Sequence, residues 1–155
     1  MALTGVAHIS PQQLAVNSGT QELPLGTRMM GEDGNEYIYL QGVASTIVGS
    51  WVTFDEAGLT TLTVADAVGS LGIAMSACVA NEFGWYQIFG SATGASADDV
   101  ADNAAVYLTA TAGKCDDAVV AGDRVKGAAR WRAAGTGATT VAVQIAYPYA
   151  DDIAD

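Results

Sequence analysis

Short runs of β-forming residues, separated by turns rich in glycine and aspartate, follow one another along most of this 155-residue chain. In residues 36–41 two tyrosines share one face and Ile38 and Leu40 share the other, as the two-residue repeat of a strand requires. Residues 140–145 alternate in the same way, with valine and isoleucine on one face. Several short strands joined by turns predict an all-β fold, either a sandwich or a Greek-key-like barrel.

The other β-type runs give approximate bounds for the remaining strands. Residues 51–54 and 59–64 flank the turn Asp55-Glu56-Ala57-Gly58, which predicts a hairpin with a four-residue loop. One short helix is predicted from Ser96 to about Ala104, because Ser96 can cap it and the aspartates that follow suit a helix N-terminus. Further strands are predicted at residues 72–79, 85–89, 107–111, 118–120 and 125–133.

Residues 1–30 differ from the rest of the chain. They contain two of the three prolines, Pro11 and Pro24, and follow neither the strand repeat nor the helix repeat. We therefore predict an extended N-terminal arm over residues 1–30 and a single β domain over residues 31–155 that ends in a short acidic tail. The arm is expected to pair with a neighbouring chain by strand addition, and a disordered terminus is the alternative.

The charge of the chain is strongly negative, with 17 acidic residues against six basic ones and a formal net charge of −11. Nucleic acid and anionic membranes are therefore not expected as partners, because binding to either needs cations that neutralise phosphates. Only 15% of the residues are charged, whereas about 25% is usual in a soluble domain. This shortfall suggests a surface covered by sister subunits or a partner, and a small, weakly charged β domain is the alternative.

The first ten residues lack the basic and apolar regions of a signal peptide, so we expect synthesis in a cytoplasm. His8 is the only histidine, so we expect neither a histidine-dependent nucleophilic site nor a zinc site in this chain. Cys78 and Cys115 lie in apolar runs without Cys-x-x-Cys spacing. They are predicted to be buried reduced thiols, and a disulfide between them is the alternative.

Paired carboxylates occur at residues 98–99 and 116–117, where the neighbouring residues are small. We interpret them as solvated turn residues rather than as the two carboxylates of a glycosidase. A structural calcium ion at residues 32–36 is an alternative to a simple turn there, although the EF-hand pattern is missing from the sequence. The sequence therefore predicts that the protein is not an enzyme and needs no cofactor.

Most of the positive charge is concentrated in nine positions. Four of the six basic residues occupy even-numbered positions there. On one continuous strand they would therefore share one face and form a row about 27 Å long, at roughly 3.3 Å per residue. In so acidic a protein, such a row predicts an interface with carboxylates of a neighbouring molecule. Pairing with the chain's own aspartates is the alternative, and a bulge at Gly127 would split the row. The candidate interface residues are Arg124, Lys126, Arg130 and Arg132.

Glycine and aromatic residues recur in a definite order over residues 36–147. The order begins with Tyr37-Ile38-Tyr39-Leu40-Gln41 and continues through Trp51-Val52-Thr53-Phe54-Asp55, Gly72-Ile73-Ala74 and Phe83-Gly84-Trp85-Tyr86-Gln87-Ile88-Phe89-Gly90. It resembles the decoration, or head cement, proteins of tailed-phage capsids. The closing half of that family is similar to residues 106–109, 125–128 and 141–145 of this chain.

The resemblance implies a compact β-barrel or β-tulip-like body that assembles as a homotrimer. It also implies that the major capsid protein is the partner and that the protein lies on the outer capsid surface of the virion, where it reinforces the shell. It supplies no catalytic residues. A virion-surface module that recognises a host glycan is the alternative function, and the position of the aromatic residues within strands favours the capsid protein.

Overall fold

The computed structural model describes residues 8–127 and 129–154, and over these residues the protein is an all-β body with one short helix. The predicted fold class is therefore confirmed. The helix α1 spans Pro11–Leu14. The strands are β1 (Arg28–Met30), β2 (Glu36–Gln41), β3 (Trp51–Phe54), β4 (Thr60–Leu62), β5 (Gly69–Ala74), β6 (Phe83–Ala95), β7 (Tyr107–Leu108), β8 (Cys115–Asp116), β9 (Arg130–Trp131), β10 (Thr140–Ala146) and β11 (Tyr149–Ala150).

Nine of the strands form one sheet around β6, which is the longest of them. The first half of β6 pairs with β2, and its second half pairs with β10. Strand β5 pairs with β6 only at Ile73 and Ala74. The other end of β5 pairs with β11, so the turn between β10 and β11 fills the space where β5 and β6 separate. Strand β3 continues the sheet from β5, and β4 continues it from β3.

The predicted hairpin is confirmed as β3–β4, but Phe54 lies opposite Thr60, so the loop has five residues, 55–59, rather than the predicted four. Its turn is stabilised by Asp55, whose side chain accepts hydrogen bonds from the N–H groups of Ala57 and Leu59 at 3.0 and 2.9 Å. A single bridge between Leu59 and Gln41 brings the far edge of the sheet back to β2. The described strands do not pair continuously from β4 back to β2, so the sheet does not close into a barrel.

Both faces of β2 are buried, because each face packs on a different cluster. Ile38 and Leu40 point into a core shared with β3, β5 and β6, whereas Tyr37 and Tyr39 point to the opposite side with Trp85. Strand β10 shows the predicted alternation, with Val141, Val143 and Ile145 buried. These three side chains belong to the largest core cluster, in which Trp51 and Trp131 meet edge to face at 6.4 Å.

Residues 8–30 lie against the body and cover the aromatic face of β2. Ile9 and Leu14 are buried there, Ser18 pairs with Phe83, and β1 adds to the edge of β2. This corrects the prediction of an arm that extends away from the body to pair with a neighbouring chain. The physical reason is that Tyr37, Tyr39 and Trp85 would otherwise expose a large apolar area to water. Residues 1–7 of the predicted arm lie outside the described residues.

Residues 96–139 contain little regular structure, and several predictions fail there. The predicted helix at 96–104 is not formed, because Ser96 is hydrogen-bonded to Thr139 and the backbone of Val100 pairs with Gly135. The predicted strand at 118–120 is also wrong, since these residues are an exposed loop. The two-stranded sheet β7–β8 and the short strand β9 are the regular elements of this region.

Cys78 and Cys115 are buried and unbridged, in two different core clusters, which confirms the prediction of reduced thiols. Burial raises the pKa of both thiols. The two side chains therefore act as small apolar groups in the core.

A basic cleft as the candidate functional site

The four basic residues singled out in the sequence do not share one strand. Among residues 124–127 and 129–132, which the structure describes, only Arg130–Trp131 is a strand, while Arg124 and Lys126 form isolated bridges to Tyr107 and Tyr149. Gly127 lies between the two parts with a φ of 83°. A Cβ at this position would come within 2.7 Å of the Tyr147 carbonyl oxygen, so the backbone passes here only as glycine. The prediction of one continuous positive row is therefore wrong.

The break at Gly127 brings three of the four basic side chains to one cleft instead. This feature, the basic cleft, has a volume of about 330 Å³ and is lined by Arg124, Lys126, Arg130 and Tyr149 together with residues 125, 127 and 129. Arg132 is not among the described residues that line it. It lies one residue beyond β9. Its side chain is exposed, and its backbone N–H donates to Ala142 O at 2.8 Å.

The position of Arg124 is set by the buried residues on either side of it. Asp123 is only 2% exposed, and its carboxylate accepts a hydrogen bond from the Asp66 N–H at 2.7 Å. Val125 on the other side is buried, and its N–H donates to Val106 O at 2.9 Å. Because both neighbours point inward, the side chain of Arg124 points outward, and the residue lines the cleft.

Lys126 forms an ion pair with Asp151, a residue of the acidic tail. The distances from Nζ to the two carboxylate oxygens are 2.9 and 3.0 Å. The side chains are 20% and 30% exposed, so the pair is partly shielded from water. The backbone of Lys126 is fixed by hydrogen bonds in both directions to Tyr149. The alternative that the basic residues pair with the chain's own aspartates is therefore correct for Lys126.

Arg130 is exposed, and its guanidinium Nη1 donates to Asn103 O at 3.1 Å. Its outward direction follows from Trp131, which is fully buried and whose Nε1 donates to Asp116 O at 3.1 Å. Arg130 and Arg132 thus retain the parity predicted for a strand, on either side of Trp131. The strand-like alternation is interrupted at Gly127.

Apolar side chains are exposed on three segments that include or adjoin residues 150–153, which directly follow Tyr149 of the basic cleft. Val119 is 80% exposed, Val68 is 64% exposed and Ile153 is 61% exposed. The three segments adjoin one another, because Gly69 pairs with Ala150 of β11 and Gly122 lies against Asp152. Cations in a cleft beside exposed apolar side chains are typical of a protein-binding surface.

Known proteins give no help in assigning this surface. No family model, curated protein or solved structure matches the chain. Over residues 8–127 and 129–154, no helix is long and apolar enough to cross a membrane. The same residues contain no group of three His, Cys, Asp or Glu side chains that is placed to hold a metal ion.

Calcium was the alternative at residues 32–36, but the Asp33 carboxylate in this loop is hydrogen-bonded to nearby side chains. Asp33 accepts hydrogen bonds from Tyr37 at 2.7 Å and from the Asn35 side chain at 2.8 Å. Partial burial opposes the ionisation of Asp33, but these hydrogen bonds outweigh it and lower the pKa of the carboxyl. Burial and the bond to Asp33 raise the pKa of Tyr37 to about 12.

A second cleft, which the sequence did not predict, lies between α1 and the sheet. This aromatic groove has a volume of about 740 Å³, with Tyr39, Phe83 and Trp85 along one side and Gln12, Gln13 and Glu22 among its polar residues. The helix that forms its other side begins with a capping box, in which Ser10 and Gln13 exchange hydrogen bonds. The spacing Ser-x-x-Gln with proline at the first helical position is a signal that sequence analysis could have used.

Proposed function

We propose that the protein is a non-enzymatic structural protein of a tailed-phage virion. It binds the major capsid protein on the outer surface of the capsid as a homotrimer and stabilises the shell. The observation that carries this proposal is the convergence of Arg124, Lys126 and Arg130 on one cleft of a chain whose net charge is −11. Half of the six basic residues of the chain face that cleft, where a partner's carboxylates would meet them.

The position of the positive charge favours a protein partner over a nucleic acid. The field of the whole molecule is negative and repels a polyanion, so the packaged DNA is a poor partner. Val68, Val119 and Ile153 are exposed, and apolar side chains of this kind suit contact with a protein surface. A decoration protein also needs a rigid body, and the extensive pairing around β6 is suited to that role.

The proposal is tested by mixing the purified protein with capsid shells that were assembled without it. We expect saturable binding to the shells and a higher temperature of shell disruption once binding is complete. Electron microscopy of the mixture would show density on the outer surface. Protein that stays in the supernatant at every concentration, with an unchanged temperature of shell disruption, would contradict the proposal.

A glycan-binding module of the virion surface is a second candidate, and the aromatic groove favours it. Sugar rings stack on aromatic side chains while amide and carboxylate groups bind their hydroxyls, and Tyr39, Gln12 and Glu22 line the same groove. A glycan array distinguishes the two candidates. Binding to one class of glycan that is lost in Phe83→Ala, together with no binding to shells, would favour this second function.

A further inference from the structure

We infer that the open edge of β1 and the aromatic groove beside it together bind an extended peptide segment of a partner protein by strand addition. The segment that they fit has apolar side chains at alternate positions and a basic residue next to them. The residues that line this surface are different from those that line the basic cleft. The inference therefore does not depend on the proposed capsid function.

Strand β1 lies at the end of the sheet, and alternate residues bond it to β2. Thr27 O accepts a hydrogen bond from the Tyr39 N–H at 2.8 Å, and in antiparallel pairing the next bonded residue of β1 is Met29. The main-chain groups of Arg28 and Met30 therefore point away from β2. The N–H and C=O of Arg28 and the N–H of Met30 form no hydrogen bond with another described residue. An edge of this kind is a template for a further strand.

The chain itself already uses one end of this edge in that way. Ile9 pairs in parallel with Gly31, so that its N–H donates to Met30 O at 3.0 Å and its C=O accepts from the Glu32 N–H at 3.3 Å. The side chain of Ile9 is only 3% exposed and packs in the cluster of aromatic residues below the groove. This residue makes both contacts that we assign to the partner segment, one through the main chain and one through an apolar side chain.

The aromatic groove supplies the contacts for the side chains. Met29 lines the groove from β1, and Leu23 and Val16 are among its other apolar residues. Side chains of an added strand point alternately to the two faces of a sheet. Every second residue of the segment would therefore meet the groove, where an apolar side chain fits. The residues between them would lie beside Arg28 and Met30, which are exposed.

The charge around the groove favours a basic segment over an acidic one. Glu22 is the one acidic residue among the described residues that line the groove, and none of these residues is lysine or arginine. Glu22 is exposed, and the net charge of the chain is −11. The field of the molecule therefore attracts a cationic segment, and a lysine or arginine next to the apolar positions would pair with Glu22.

A peptide suits this surface better than a sugar does. Tyr39 and Trp85 are only 4% and 6% exposed, so their rings offer little area on which a sugar could stack. The open N–H and C=O groups of β1 are the partners that a peptide main chain requires. In strand addition the main-chain bonds supply affinity, and pockets for alternate side chains supply specificity.

The probe for a direct test is a fluorescent peptide, Thr-Leu-Thr-Leu-Thr-Lys, with both ends blocked. Its control is Leu-Leu-Thr-Thr-Thr-Lys, which has the same composition without the alternation. Fluorescence anisotropy with the full chain should show that the alternating peptide binds at least about threefold more tightly. N-methylation at the second leucine and at the threonine before it should change the affinity unequally, because only every second residue of an added strand directs its N–H to the edge.

The contribution of the edge is tested with Met30→Pro, for which Met30→Ala is the matched control. Both substitutions remove the methionine side chain, but only proline also removes the outward N–H. Proline is tolerated on an edge strand at such a position. We expect Met30→Pro to bind the alternating peptide at least about threefold more weakly than Met30→Ala, as the loss of one hydrogen bond predicts. Circular dichroism of both variants checks that they are folded.

The contribution of the groove is tested at exposed positions, where substitution leaves the core intact. Val16→Ser should weaken binding of the alternating peptide by at least about twofold, whereas Val119→Ser, which is outside the groove, should leave it unchanged. Glu22→Gln should weaken it by about two- to fivefold, the range expected for an exposed ion pair. Glu56→Gln is the matched control, because Glu56 is exposed in the β3–β4 loop and does not line the groove.

The outcomes of these experiments distinguish the inference from its alternatives. Equal affinity for the two peptides, or equal affinity of Met30→Pro and Met30→Ala for the alternating peptide, would overturn the inference. Binding that appears only after residues 1–7 are removed would assign the edge to the chain's own first residues and would also overturn it. No binding of the peptide, together with a glycan signal that is lost in Phe83→Ala, would overturn it in favour of the glycan-binding function.

Arg130→Glu separates this inference from the proposed function. This variant should bind the alternating peptide as the unchanged protein does, since Arg130 lines the basic cleft and not the groove. Peptide binding with the expected pattern, in a protein that does not sediment with capsid shells, would support the inference and contradict the capsid assignment. Sedimentation with shells in a protein that does not bind the peptide would do the reverse.

Discussion

The two clefts of this protein are built in opposite ways. The aromatic groove lies over buried rings, with Trp85 only 6% exposed and 5.2 Å from Tyr39, and a helix with a complete capping box closes it. The basic cleft is formed by a turn at Gly127 and by strands of two residues, and its ion pair is partly exposed. Burial of apolar rings stabilises a fold strongly, whereas a partly exposed ion pair contributes little. The comparison indicates that the rings of the aromatic groove stabilise the fold, whereas the ion pair of the basic cleft adds little stability, which agrees with the binding role that we propose for the cleft.

The largest effect on stability is expected at the floor of the aromatic groove. Trp85→Ala should lower the free energy of unfolding by about 3–5 kcal/mol, because it removes a buried ring and leaves a cavity. Urea denaturation measures this change, with Val119→Ala as a control at a site that is 80% exposed. A loss below about 1 kcal/mol for Trp85→Ala would show that residues 8–30 do not depend on this ring.

A smaller effect is expected where the basic cleft depends on backbone geometry. Gly127→Ala should lower the free energy of unfolding by about 1–3 kcal/mol, because a Cβ would meet two carbonyl oxygens and the φ is positive. Gly137→Ala is the matched control, since Gly137 also has a positive φ but no atom within 4 Å of its Cβ position. Equal losses in the two variants would mean that the close approach at Gly127 is relieved without cost.

The smallest effect appears only at high pH. The pKa of Tyr37 is raised to about 12 in the folded protein by burial and by its bond to Asp33, while about 10 is usual in an unfolded chain. The folded state therefore retains a proton that the unfolded state loses, so the contribution of Tyr37 is complete below pH 10 and falls as pH rises toward 12. The temperature of thermal unfolding should fall less steeply over this pH range in Tyr37→Phe than in the unchanged protein. Parallel curves would contradict the assignment.

Sequence analysis predicted the fold best where the strands are long enough to show a repeat. The alternation in β10 gave its buried face, and the two faces of β2 were assigned correctly. Residues 96–139 show no periodic pattern that identifies their strands, because these strands have only two residues each. Their loop residues form hydrogen bonds with residues distant in sequence, as Ser96 does with Thr139. A periodic pattern cannot report contacts of this kind.

The candidate site was predicted in part, and the error arises at one residue, Gly127. Three of the four basic residues that the sequence singled out, Arg124, Lys126 and Arg130, line one cleft. Their arrangement was wrong, since a strand repeat assumes that Gly127 is extended, whereas its φ is 83°. Tyr149 was missed because it reaches the cleft through its pairing with Lys126, a contact between residues 23 positions apart. The same pairing brings Asp151 to Lys126.

The most direct test of the central claim compares charge reversal inside and outside the basic cleft. Arg130→Glu and Arg132→Glu make the same change on either side of the buried Trp131, but only Arg130 lines the cleft. Affinity for capsid shells is measured by sedimentation at low and at high salt. We expect Arg130→Glu to lose at least about tenfold in affinity at low salt and Arg132→Glu to stay within about twofold of the unchanged protein. Equal losses in both variants, or no loss in either, would contradict the assignment of the cleft as the binding site.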